Sequence, residues 1–253
     1  MKIIRNIEYL PNLHLDIFVP EKVEATFVHF HGGGLVEGDK TDVDDLMIHL
    51  CNKNYLMVNV NYSLYPNTKF PIYLIEAAKA VKYIYDHIEE YHGSKDNIYL
   101  SGQSAGAYIV TMLALNKEYL ETARLSPKDI KGYVSDSGQM NDHFNVQKFE
   151  YGIDPWLQRI TKIGPMYYVT KDNDVPPLLL IYYSNDMLNR KEQNIMLYNL
   201  VKFYSPNADI TKLELEGNHV DGSCKKDIDD EYPYVKELVK WMTRKWKNYQ
   251  SSF

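Results

Sequence analysis

The stretch Asn97 to Leu113, NIYLSGQSAGAYIVTML, decides the fold. Asn97 to Leu100 reads as a short apolar strand, and Ala105, Tyr108, Ile109, Met112 and Leu113 recur at the spacing of one helix face. Between them lies Gly102-Gln103-Ser104-Ala105-Gly106, a serine with glycine two residues away on either side. A strand that turns into a helix over so few residues brings its two backbone arms close together. The flanking positions must then be small, and the serine at the tip is exposed to a substrate. A serine at a helix start is also an ordinary N-cap. The strand before it and the helix after it favour the sharp turn, and Ser104 is the expected nucleophile.

Outward from this element the chain alternates between two periodicities. Leu13 to Val19 and Ala25 to Phe30 flank the turn-like Pro20-Glu21-Lys22 and predict an antiparallel start. Tyr55 to Asn61, Ile130 to Ser135, Leu178 to Tyr183 and Ile210 to Leu215 read as further strands. Helices are expected where Ala77, Val81, Ile84 and Ile88 share a face opposite Lys79, Lys82, Asp86 and Glu89, and again over Glu192 to Tyr204 and Tyr234 to Trp246. Such alternation needs right-handed crossovers, which give an α/β fold with a mostly parallel sheet and helices on both faces. At 253 residues the expectation is a single domain over 1–253. Residues 138–177 break the rhythm with no clear strand but with Pro155, Trp156, Pro165, Tyr167 and Tyr168. This stretch exceeds what a crossover requires and is expected to be a short cap or lid-like insertion at the substrate pocket, against the alternative of a surface excursion touching no ligand.

A second signal is independent of the first. His31-Gly32-Gly33-Gly34 follows the apolar run Ala25 to Phe30, and such a glycine run lets backbone amides approach a ligand closely. The N–H groups of Gly33 and Gly34, with that of Ala105 after the nucleophile, are the expected oxyanion hole. No Gly-Lys-Ser/Thr follows, so the run does not read as a nucleotide loop. His31 is expected to anchor the loop.

Serine needs a base, and the base needs an orienting acid. His219 follows the strand candidate Ile210 to Leu215 through Glu216-Gly217-Asn218 and is the expected base. Asp186, just past Leu178 to Tyr183, is the expected acid, with Asp136 after the preceding strand as its rival. Asp209, Asp172 and Asp174 precede their strands and fall at the wrong edge, and Asp221 is too close to His219 in sequence to orient it easily.

Composition narrows the classes. A formal net charge of -6 and the lack of a long basic stretch speak against nucleic acid or an anionic membrane as partner. Met1 to Leu10 carries Lys2, Arg5 and Glu8, unlike a signal peptide, and no apolar run is long enough to span a bilayer, so a cytoplasmic location is expected. Cys51 and Cys224 are too few for a disulfide framework and are expected to be buried structural residues. With no Cys-x-x-Cys or His-Glu-x-x-His motif, no metal site is expected.

Three ordered motifs then carry a resemblance: His31 to Lys40 (HGGGLVEGDK), Asn61 to Pro66 (NYSLYP) with Phe70-Pro71, and Gly102 to Gly106. They resemble the His-Gly-Gly-Gly carboxylesterases of the α/β-hydrolase superfamily, which include hormone-sensitive-lipase-like and feruloyl/acetyl xylan esterase-like branches. Only about thirty residues precede the glycine run, which favours the second branch. Leu35, Ser63 and Ala107 stand where that branch or its relatives often carry an aromatic, an arginine and a third glycine. The resemblance implies an eight-stranded α/β-hydrolase fold, no cofactor and a small-molecule ester as substrate. An amidase, arylformamidase or peptidase would use the same residues, and a non-catalytic binding protein on the same fold is the reading from a different class.

Overall fold

Every residue of β3 (Ala25–Phe30), β4 (Tyr55–Val60), β5 (Ile98–Gln103) and β6 (Gly132–Asp136) is buried, as expected of strands covered on both faces. They form the centre of an eight-stranded sheet in the computed structural model, which describes residues 1–171 and 174–250. With β1 (Lys2–Leu10), β2 (Leu13–Val19), β7 (Leu178–Asn185) and β8 (Ile210–Asn218), the order is β1-β2-β4-β3-β5-β6-β7-β8. From β4 to β8 all neighbours are parallel, and β2 runs antiparallel to both β1 and β4.

Successive side chains of a strand point to opposite faces, so one sheet feeds two cores. Phe27, Tyr99, Val134 and Leu179 share a core with Leu46 and Leu50 of α1 (Asp44–Cys51) and with Leu238 and Trp241 of α7 (Pro233–Gln250). Val28, Leu100, Tyr133 and Leu180 share the other with α2 (Ile72–His87), α3 (Ala105–Leu115), α4 (Lys117–Thr122) and α5 (Arg190–Tyr204). Ala77, Val81, Ile84 and Ile88, the expected helix face, are all fully buried there.

The antiparallel start has different partners from those expected. Leu13–Val19 pairs with β1 and β4, and β4 separates it from Ala25–Phe30. The crossover through α1 places β4 on that side of β3, and β1 supplies the hairpin partner instead. That edge strand escapes a reading by periodicity because its residues are mostly half or fully exposed, and an edge tolerates Lys2, Arg5 and Glu8. β5 continues past Leu100 through Ser101, Gly102 and Gln103 because these polar residues pair with Phe30 and Asp136 at the sheet centre.

Between β6 and β7 no strand occurs among the described residues. The chain there makes a widened helical turn at Val146–Glu150 and a 3-10 turn at Pro165–Tyr168. Buried Asp142 ties the segment together by accepting from the Thr161 N–H at 2.7 Å and the Thr161 hydroxyl at 2.9 Å. Asp172 lies outside the described residues. Cys51 is buried as expected, whereas Cys224 is exposed, because it ends the short helix α6 (Asp221–Cys224) at the surface. Among the described residues no helix is long and apolar enough to cross a membrane.

Candidate active site

Four loops meet where the parallel strands end, the edge at which α/β sheets bind ligands. At the turn after β5, Ser104 has φ 52 and ψ -109, a conformation that costs on the order of 1–3 kcal/mol and persists only where its surroundings enforce it. The enforcement is steric. A Cβ on Gly102 would lie 2.4 Å from the Gly106 carbonyl carbon, and one on Gly106 would lie 1.9 Å from the Phe30 carbonyl oxygen. The Ser104 N–H donates to the Asp136 carbonyl at 2.8 Å. Ser104 occupies the N-cap position of α3, but its side chain caps nothing. It turns instead to His219, with Oγ 2.8 Å from Nε2.

Asn185 and Asn218 are paired in register, so the next residues, Asp186 and His219, emerge side by side. His219 Nδ1 lies 2.6 Å from Asp186 Oδ1. The imidazole is 23% exposed and the carboxylate 1%, so the pair is closed below and open above. Asp186 also accepts from the Ser137 hydroxyl at 2.8 Å and the Met187 N–H at 2.7 Å. Burial alone would raise its carboxyl, but the bond and charge of His219, with those two donors, hold it below the usual carboxylate range. An ionised Asp186 accepts Nδ1–H, which leaves Nε2 free to accept the Ser104 proton.

The glycine run lies against this line, for a Cβ on Gly32 would sit 3.5 Å from that of Ser104. Gly33 has φ 102 and its carbonyl accepts from the N–H groups of Val36 and Glu37, both at 3.1 Å. In a planar trans peptide this turns the Gly34 N–H the opposite way. Among the described residues, the N–H groups of Gly33, Gly34 and Ala105 donate to no other protein group. His31 is buried and stacks on Tyr62 at 4.5 Å, while the Tyr62 hydroxyl donates to the His31 carbonyl at 2.8 Å. Burial lowers the His31 pKa, so the ring is a neutral anchor as expected. Further along, Lys40 donates to buried Asp16 at 3.1 Å and ties the end of the loop to β2.

Among the described residues, no carboxylate other than Asp186 is hydrogen-bonded to His219. Asp136 lies buried beneath the turn against Ser223, Asp221 accepts from the Asn218 N–H, and Asp174 pairs with Lys128. Three neighbours of the site carry no sequence signal. Ser137 supports Asp186, and Asn145 donates to the Gly34 carbonyl at 2.8 Å. Buried Arg190 donates to the Ser137 carbonyl and, at 3.3 Å, to Gln139. Burial lowers the Arg190 pKa to about 10, against the opposing charge of Asp186. Each of these residues reaches the site only through the irregular chain after β6 or the start of α5, where no local pattern reports on side-chain direction.

The eight-stranded, mostly parallel sheet with helices on both faces and this constellation at its carboxyl edge define an α/β hydrolase. Esterase B from Lactobacillus Rhamnosis superposes with a TM-score of 0.80 over 99% of this chain and 88% of its own, at 15% identity. The chain belongs to the BD-FAE family, whose model matches residues 15–201. It is 30% identical over 183 residues to the alpha/beta hydrolase R526 of Acanthamoeba polyphaga mimivirus, covering 63% of this chain and 51% of that protein. It is 25% identical over 147 residues to the isoprenylcysteine alpha-carbonyl methylesterase of Arabidopsis thaliana, covering 53% and 34%. The chain thus spans about half or less of the length of these curated relatives.

Proposed function

We propose that the protein is a serine carboxylesterase that hydrolyses short-acyl esters of small alcohols through an acyl-enzyme. The observation that carries this reading is the unbroken line from Ser104 Oγ through both ring nitrogens of His219 to Asp186. Ser104 Oγ attacks the ester carbonyl while His219 Nε2 takes its proton, and Asp186 stabilises the imidazolium so formed. The N–H groups of Gly33, Gly34 and Ala105 receive the oxyanion, each fixed donor being worth on the order of 3 kcal/mol. Collapse expels the alcohol, which takes the proton from His219. Water then attacks the acyl-Ser104 ester by the same route and releases the acid. This chemistry needs neither metal nor organic cofactor.

The short-acyl preference rests on the segment 138–177. A Cβ on Gly34 would lie 3.6 Å from the Phe144 ring, so this segment crowds the oxyanion loop. Phe144 stacks on Trp156, which is 50% exposed, and its neighbours include Lys148, Glu150, Asp154 and Arg159. An aromatic, partly polar wall suits a compact substrate, whereas a long chain would need an apolar trough gaining about 0.8 kcal/mol per buried methylene. The segment accordingly acts as a short cap on a single domain. The esterase and methylesterase names of the similar proteins support an ester as the bond that is cleaved. The test is kcat/KM along p-nitrophenyl esters from acetate to palmitate. Values are expected to peak between acetate and butyrate, and values still rising beyond octanoate would contradict the reading.

A further inference from the structure

Of the buried carboxyls without a part in this chemistry, Asp136 lies nearest the Ser104 turn in the chain's hydrogen bonding. Asp136 ends β6, is fully buried, and its Oδ1 has no hydrogen-bond partner among the described residues. Yet it joins the two turns that must meet. Its backbone carbonyl accepts the Ser104 N–H at 2.8 Å, and its Oδ2 accepts the Ser223 hydroxyl. Gln103, paired in register with Asp136 and adjacent to Ser104, donates from Nε2 to Ser223 Oγ at 2.6 Å.

Ser223 belongs to α6, which begins two residues after His219. The backbone on either side of His219 is irregular, with φ 128 at Gly217 and φ 56 at Val220. A β-branched residue at positive φ is held only by what surrounds it. α6 is the footing of this turn, and it is fastened by Ser223 and by the Gly222 N–H, which donates to the Tyr183 hydroxyl at 3.1 Å.

We propose that Asp136 and Ser223 are positioning residues, and that the hydrogen-bond chain through Asp136, Ser223 and Gln103 holds the His219 turn in register with Ser104. They touch neither substrate nor reacting atoms and act through α6. The inference rests on the reading of Ser104 and His219 as nucleophile and base. Its physical ground is that a displacement of about 1 Å between reacting groups can lower a rate on the order of 100-fold.

The experiment compares S223A, which loses the hydroxyl, with S223T, which keeps it, and adds D136A. Hydrolysis of p-nitrophenyl acetate is expected to slow in kcat by roughly 10- to 100-fold in S223A and D136A, with KM within about twofold and most of the loss restored in S223T. A second readout needs no turnover: the low-field Nδ1 proton of His219 in the NMR spectrum, assigned by its loss in H219A. It should shift or broaden in S223A and return in S223T. Wild-type kcat and an unmoved resonance in S223A overturn the proposal, even where the melting temperature falls. A wild type that hydrolyses no ester overturns the functional reading instead, and the NMR arm still decides the positioning role.

Discussion

Asp136 and Asp186 stand at the ends of neighbouring parallel strands, lie on the same edge of the sheet and are both screened from water, yet their environments drive them apart. Asp186 is surrounded by donors, namely His219, Ser137 and the Met187 amide, and they keep it ionised against burial. Asp136 has only the hydroxyls of Ser223 and Tyr183 beside it, and burial outweighs both and pushes it up to about 7. The cause is where each strand stops, for Asp136 pairs with Ile181 while β7 runs on to Asn185. Asp136 is the last residue of its strand, inside the sheet, whereas Asp186 is the first residue beyond its own, in the loop beside His219. Pairs of carboxyls whose environments separate their pKa values reveal which one can orient a base.

The strongest attack on this comparison is Asp186→Asn. An amide that favours the wrong tautomer of His219 should lower kcat by about four orders of magnitude, and far more than Asp136→Asn. The reverse ranking would move the acid to Asp136.

A second, smaller effect concerns stability. Between the unfolded carboxyl value and about 7, Asp136 is protonated in the folded protein and ionised in the unfolded chain. Folding therefore takes up a proton, and stability falls as pH rises through that window. Asp136→Asn removes this dependence. Denaturant unfolding of both proteins should show the wild type losing about 3 kcal/mol relative to the variant between pH 5 and pH 8. Parallel curves would mean that Asp136 is not pushed up. Asp186 has the opposite sign, because its lowered pKa gives stability that is present at neutral pH and is lost only as pH falls through the folded value.

The mildest test removes a support of Asp186. Ser137→Ala deletes a hydrogen bond to a charged acceptor worth roughly 1.5–3 kcal/mol, so kcat/KM should fall by about 10- to 100-fold. An unchanged rate at neutral pH would show that His219 and the Met187 amide suffice.

The same comparison marks what the sequence could convey. Ser104 is legible because glycine at 102 and 106 is a steric necessity that composition displays directly. The strands are legible where burial on both faces demands mostly apolar runs, unbroken in Leu178–Ile181 and interrupted only by Thr26 and His29 in Ala25–Phe30. Asp186 and Asp136 are both visible as strand-end carboxylates, but their donors are not. Ser137 and Ser223 look like any loop serine, and their meaning depends on the sheet order that brings them alongside. The edge strand β1 has no buried face to impose a pattern, and Cys224 ends a helix too short to have one.

Covalent labelling decides whether Ser104 is the nucleophile. Wild-type protein treated with a fluorophosphonate should gain the mass of a single adduct, mapped to the peptide containing Ser104, while S104A, folded to the same melting temperature, should gain none. An adduct retained by S104A, or a wild type that stays unlabelled, would contradict the assignment of Ser104 as nucleophile.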